Sequence, residues 1–320
     1  MAPSAAAGWW QFTLALPGEL EESLLWRLPQ LGVVRVAIRH RPEAPEDREL
    51  VAWVPEADWP EGERQALEAA LKPLGGPFSM VLEPLRWQRV QDEDWSLSWK
   101  RHWAPDPVGQ RLLVLPAWLE VPPEARGRRV IRLDPGPAFG TGSHPSTRLC
   151  LEGLETLGEA RRTAGAADAS TNAPLAGLRV ADLGCGSGLL GLAALALGAD
   201  AVLAVDTDPL AIRATQDNAT LNGIRELTVA LGSVDVLEEL LHGQPADLLL
   251  CNILAPVIAD LAPSFHRLLA PGGEGLLSGL LLSQAEALIH VLQREGWAAT
   301  VAASSEPWAL LRLRGQGDVA

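Results

Sequence analysis

The sequence predicts an α/β protein, a mostly parallel sheet wrapped by helices, preceded by a small α+β module. Three observations predict this. From Leu178 onward, strand-like and helix-like segments alternate, which specifies parallel strands with helices on both faces. The first 87 residues read instead as β-α-β-β-α-β, a ferredoxin-like order. Between the two lies a stretch carrying Trp87, Trp95, Trp99 and Trp103. The 320 residues suffice for two domains. The expected division is 1–87, a joining helix over 88–105, and a larger domain over 106–320.

Each element of the module has a local reason. Trp9 to Leu16 is rich in aromatic and β-forming residues, and Glu19 to Leu31 spaces its leucines like a helix. After Gly32, Val33 to Arg39 alternates apolar and basic residues, and Glu49 to Val54 is a further short strand. Glu61 to Leu74 places Leu67, Ala70, Leu71 and Leu74 on one helical face, and Phe78 to Arg86 reads as the closing strand. Trp95, Trp99 and Trp103 recur every four residues, so a helix from Gln88 to Trp103 would carry them as one packing seam.

Strands return at Arg111 to Pro116 and Arg129 to Leu133. The glycine- and proline-rich run from Leu133 to Thr147 then leads into a helix from about Ser146 to Leu157, with Pro145 in its first turn. Thr163 to Pro174 is small and polar, a surface insertion. Beyond it the predicted strands are Arg179–Leu183, Ala201–Val205, Leu227–Leu231, Asp247–Cys251, Gly275–Leu280, Ala298–Ala303 and Trp308–Arg314. The predicted helices are Leu189–Leu197, Pro209–Asn222, Ala255–Leu269 and Ser283–Glu295.

Composition narrows the partners. A net charge of −14 repels phosphate backbones, so direct nucleic-acid binding is not expected. The same charge attracts a basic protein, and it serves equally well as a surface that keeps the chain in solution. Cys150, Cys185 and Cys251 are far apart and not at metal-ligand spacing, so neither a disulfide framework nor a metal is expected. The first residues have no basic or apolar run of a secretory signal, and the longest apolar run, Leu189 to Val205, is interrupted by Asp200. The expectation is a cytoplasmic monomer without a membrane span.

The chemistry sits in the run Asp182-Leu183-Gly184-Cys185-Gly186-Ser187-Gly188, which ends a strand and opens a helix. Glycines there allow a sharp turn and a close approach to a ligand. Asp206 ends the next strand, about twenty residues on, where an acid can hold two ribose hydroxyls. Together these suit an adenosine ligand in a Rossmann-like domain. A pyrophosphate would meet the negative charge of Asp182, and the usual G-x-G-x-x-G spacing is not kept. A cationic, amine-bearing ligand such as S-adenosylmethionine meets that charge favourably. A third strand delivers Asn252, whose carbonyl could orient an amine. As an alternative, Asn252 caps the helix that follows.

At these residues the chain resembles the ribosomal protein L11 methyltransferases, the PrmA family. The matching pieces are Leu133 to Thr147 (LDPGPAFGTGSHPST), Val180 to Gly188 (VADLGCGSG), Asp206-Thr207-Asp208-Pro209 and Asn252-Ile253-Leu254-Ala255. The tryptophan-rich joint is similar too. The resemblance implies a ferredoxin-like substrate-recognition domain, a linker and a class I methyltransferase domain. It implies S-adenosylmethionine as co-substrate, with contacts at Thr147, Gly184, Asp206 and Asn252, to which the glycine-turn reading adds Asp182, Gly186 and Gly188. It implies methylation of lysine and α-amines of a ribosomal protein. Phe139 and Gly140-Thr141-Gly142 lie in the loop that resembles the family's active-site cover. The expected catalytic residues are therefore Asn252, to orient the amine, and Phe139, to exclude water. No side chain stands out as a base; His144 is as well read as a loop residue bonded to backbone. The alternatives are a methyltransferase of another protein lysine and a silent binding module that keeps the fold.

Overall fold

The computed structural model describes residues 8–41, 44–78, 80–90, 103–134, 142, 144–165 and 173–315. The chain divides into two compact units, Met1–Ala104 and Pro105–Ala320.

In the first unit, strands β1 (Trp9–Ala15), β2 (Val36–Arg41), β3 (Ala44–Pro55) and β4 (Arg86–Val90) form an antiparallel sheet in the order β2-β3-β1-β4. Helices α1 (Glu21–Gln30) and α2 (Glu61–Leu71) complete the ferredoxin-like chain order. Period-two alternation decides the faces. Phe12, Leu14, Leu50 and Ala52 join the buried Leu24, Leu28 and Leu67 of the helices. Trp9, Val51 and Trp53 point the other way and form a separate cluster with Ala37. Each fully buried leucine contributes about 1.5–3 kcal/mol, so this small core rests on α1 and the central strands.

Two expectations for this unit need correction. The closing strand is Arg86–Val90 and not Phe78–Arg86; Lys72–Phe78 is 3-10 helical instead. Pro84 removes a ladder donor from the predicted run, and residues 80–85 form no strand. The predicted helix from Gln88 does not start there, because Gln88, Arg89 and Val90 pair with β1. Trp95 and Trp99 lie outside the described residues.

The second unit begins with β5 (Asp106–Val108), β6 (Leu112–Pro116) and β7 (Arg129–Leu133), a three-stranded sheet in that order. Helix α3 (Pro145–Thr163) follows, longer than predicted. Glu155 of α3 accepts the backbone N–H groups of Gln110, Arg111 and Leu112 at 2.7, 2.9 and 3.0 Å and so fixes the turn into β6. Arg148 of α3 donates through Nη1 to both carboxylate oxygens of Asp106, at 2.6 and 2.8 Å, and through Nη2 to the carbonyl of Pro107 at 3.1 Å.

The main sheet has seven strands: β8 (Arg179–Leu183), β9 (Ala201–Asp206), β10 (Leu227–Leu231), β11 (Ala246–Asn252), β12 (Leu269–Leu281), β13 (Trp297–Ser305) and β14 (Trp308–Gly315). Their order is β10-β9-β8-β11-β12-β14-β13, with β14 antiparallel to both neighbours and the other pairs parallel. Helices α4 (Leu189–Ala196), α5 (Pro209–Leu221), α6 (Val234–Leu241), α7 (Ala255–Leu261), α8 (Phe265–Leu268) and α9 (Leu282–Arg294) connect them. The two faces of the sheet feed separate cores, one with Val180, Ala204 and Leu250, the other with Ala181, Val205 and Cys251. Strands buried on both faces explain the unbroken apolar runs. The predicted helix Ala255–Leu269 is broken by a 3-10 turn at Ala262–Ser264, where Pro263 cannot donate to the helix ladder. Helix α6 was not among the predicted elements. Among the described residues, no helix is long and apolar enough to cross a membrane.

Candidate active site

The order of the main sheet reverses between β8 and β11, and at such a switch point a crevice opens at the carboxyl ends of the strands. The structure brings the sequence-predicted residues to that end. Asp182 is the next-to-last residue of β8, Gly184 to Gly188 follow the strand, Asp206 ends β9 and Asn252 ends β11. Thr147 comes from the first turn of α3 and lies within bonding distance of Asn252.

The glycine turn is dictated by conformation and by space. Gly184, Gly186 and Gly188 have φ of +80°, +56° and +79°, a region that side chains disfavour. A Cβ on Gly184 would stand 2.5 Å from Ile253 Cγ2, and one on Gly188 2.8 Å from Thr215 Cγ2. The N–H groups of Gly184 and Cys185 donate to the carbonyl of Val205 at 2.9 and 3.0 Å, tying the turn to the end of β9.

Asp206 binds this backbone from the other side. Its Oδ2 accepts from Gly186 N–H at 2.9 Å and its Oδ1 from Asp208 N–H at 2.9 Å. Each oxygen keeps a further lone pair, so a pair of hydroxyls can be met by a carboxylate already fixed in place. Asp182 is 1% exposed. Its Oδ2 accepts from Gly191 N–H at 3.1 Å, while its buried Oδ1 has no hydrogen-bond partner among the described residues. Burial pushes this carboxyl up to about 7; the Gly191 bond opposes the rise and nearby Asp206 adds to it. A cationic ligand would hold it ionised.

Asn252 Nδ2 donates to Thr147 Oγ1 at 3.2 Å. Its Oδ1 is buried and without a partner among the described residues. A buried unmet acceptor costs about 1–3 kcal/mol, so the oxygen is set for a donor from a ligand. The capping alternative fails, because Leu254 is the N-cap of α7 and no side chain caps that helix. His144 does cap a helix. Its Nδ1 accepts from Ser146 N–H at 3.2 Å, and its ring lies edge-on to Trp308 at 4.6 Å. Phe139, Gly140 and Thr141 lie outside the described residues. Among the described residues no group of three acidic, cysteine or histidine side chains could hold a metal.

Sequence reasoning passed over two residues that shape the turn. Thr215 Oγ1 donates to the carbonyl of Gly186 at 3.0 Å, and Asn218 Nδ2 to that of Ser187 at 2.9 Å. Both are buried on the inner face of α5 beside Ala211 and Ala219. Polar residues on the apolar stripe of a helix were the available signal.

The family model described as Ribosomal protein L11 methyltransferase (PrmA) matches residues 8–316. The chain belongs to the ribosomal protein L11 methyltransferase family. As a member of it the chain is an S-adenosylmethionine-dependent methyltransferase, as the resemblance implied. The L11 methyltransferase of Synechococcus sp. strain RCC307 is 58% identical over 315 residues, covering 98% of this chain and 99% of that one. The one from Thermosynechococcus vestitus is 40% identical, covering 96% and 97%. Among solved structures, the ribosomal protein L11 methylase of Lactobacillus delbrueckii subsp. bulgaricus is similar with a TM-score of 0.55 and 29% identity, over 67% of this chain and all of that one. The family's methyltransferase fold accounts for the seven-stranded sheet, and the antiparallel sheet lies at the N-terminus.

Proposed function

We propose that the chain transfers methyl groups from S-adenosylmethionine to lysine and N-terminal α-amines of ribosomal protein L11. The observation that carries this reading is the buried, unpartnered Oδ1 of Asn252, held by Thr147 at the switch point beside the glycine turn. The donor-site residues fit the co-substrate. Gly184, Gly186 and Gly188 leave room for it, Asp206 would take its ribose hydroxyls, and Asp182 would face its ammonium end. Bound there, S-adenosylmethionine supplies an electrophilic methyl group on a sulfonium. The protein's own residues then have to present a neutral amine. At pH 7 a free lysine near pKa 10.4 is neutral about once in two thousand, a cost of roughly 4.6 kcal/mol, against about 1–1.4 kcal/mol for an α-amine. Asn252 Oδ1 accepts one amine N–H and aims the lone pair, so that positioning supplies much of the acceleration. Phe139 excludes water from the reacting centre.

The N-terminal unit is proposed to recognise the basic substrate, with the stretch after β4, residues 91–104, as the linker. The enzyme is proposed to act as a cytoplasmic monomer without a metal. Mass spectrometry of ribosomal protein L11 incubated with enzyme and labelled donor tests the reading. Label on lysine and α-amine nitrogens supports it. Label only on another protein of a lysate would replace the substrate, and a chain that binds no donor in calorimetry would be the silent module.

A further inference from the structure

Helix α5 and its C-cap residue Asn222 present three polar side chains, at positions i, i+3 and i+7, and all reach backbone of other elements. Thr215 bonds Gly186. Asn222 Oδ1 accepts from Arg132 N–H at 2.8 Å and its Nδ2 donates to Arg132 C=O at 2.7 Å. Strand β7 is the edge of its sheet, so this carboxamide substitutes for a neighbouring strand. Asn218 lies between the two. Its Oδ1 accepts from Asp134 N–H at 3.0 Å, just where the chain leaves β7, and its Nδ2 donates to Ser187 C=O at 2.9 Å in the glycine turn. It is 1% exposed, so neither bond has water as a ready substitute.

We infer that Asn218 is a positioning residue for methyl transfer, one carboxamide that sets the glycine turn and the exit of β7 against each other. This rests on the proposed donor site at that turn. The two bonded backbone groups lie 53 residues apart in the chain, at 134 and 187, and each flanks a segment the reaction needs. Asp134 opens the proline- and glycine-rich run that contains Phe139 and ends at Thr147; Ser187 lies inside the turn between Gly186 and Gly188. A carboxamide is required, because one end must accept and the other donate. Asn222 makes the same pair of bonds to β7, its Nδ2 donating as well to the carbonyl of Asn218 at 2.7 Å, and it makes no bond to the glycine turn.

The contrast between the two asparagines is the test. Asn218→Asp keeps the acceptor for Asp134 and loses the donor for Ser187; Asn222→Asp makes the equivalent change at Arg132. Donor affinity is measured by calorimetry with S-adenosylhomocysteine, and kcat and donor KM with labelled S-adenosylmethionine on ribosomal protein L11. Melting temperature reports the structural part. The expected result is donor binding about tenfold weaker and kcat about tenfold lower for N218D, with donor affinity within about twofold of wild type for N222D. N218D that binds the donor and turns over like N222D, at equal loss of melting temperature, overturns the inference. If N218D does not fold, Asn218→Ser removes both bonds without adding a charge. Folded N218S with wild-type donor affinity and kcat overturns the inference equally, and a tenfold loss supports it. Failure of the underlying reading is distinguishable, since then the wild-type chain itself binds no donor.

Discussion

Asp182→Asn should make the donor-free protein more stable as the pH rises. The carboxyl is 1% exposed and burial pushes it from an ordinary 3.8 up to about 7. Between those two values the folded chain keeps the proton while the unfolded chain has released it. The folded state therefore binds more protons, and the unfolding free energy falls as pH rises through that window. Above about pH 7 the loss is complete and amounts to about 4 kcal/mol. The carboxamide of the variant has no such titration. Its oxygen can still accept from Gly191, while its NH2 would sit where Oδ1 now has no partner. That replacement costs about 1–3 kcal/mol at every pH. The stability of the variant relative to wild type should therefore climb by about 4 kcal/mol between about pH 4 and pH 8, whatever its starting offset. Parallel urea titrations of the two donor-free proteins across that range measure the difference. Profiles that stay parallel to within about 0.5 kcal/mol would refute the account of Asp182 as an ionised group held against burial.

Donor affinity should show the complementary dependence. A cationic ligand beside Asp182 favours its ionised form, so S-adenosylmethionine binding should weaken by up to about tenfold per pH unit below about 7, and calorimetry of D182N should show a flat profile. Thr147→Val removes the acceptor that holds Asn252 Nδ2; kcat in a labelled-methyl assay should fall about tenfold, and about a hundredfold for Asn252→Ala. Gly188→Ala forces a side chain onto φ +79° and 2.8 Å from Thr215 Cγ2, which should lower the unfolding free energy by about 1–3 kcal/mol and abolish donor binding. Glu155→Ala leaves the N–H groups of Gln110, Arg111 and Leu112 without their acceptor and should cost about 2–4 kcal/mol in a denaturant titration.

Much of this architecture was legible because its causes are local. Alternating strand and helix signals from Arg179 onward locate all seven strands, since the central strands are apolar on both faces. The glycine turn and Asp206 were legible for the same reason, because conformation and burial constrain those positions directly. The insertion of β14 between β12 and β13 was not, because strand order depends on which faces meet and not on local pattern. The strand at Arg86–Val90 was missed because the apolar run before it, interrupted by Pro84, resembles a strand that it does not form. Asn218, Asn222 and Glu155 were illegible as anchors for a simpler reason. Their partners lie 84, 90 and 43 to 45 residues away, and no pattern within a window of ten reveals such a pairing.

The pairing of Arg148 with Asp106 sets where this chain can be cut. Arg148 is the neighbour of Thr147, and its guanidinium is held by the second residue of the larger unit and the carbonyl that follows. A fragment trimmed to the seven-stranded sheet, starting after β7, would retain the glycine turn and both acidic residues. It would also release the first turn of α3, and with it the hydroxyl that fixes Asn252. The smallest autonomous piece able to keep the site in register therefore starts at Pro105, some seventy residues ahead of the first strand of the main sheet.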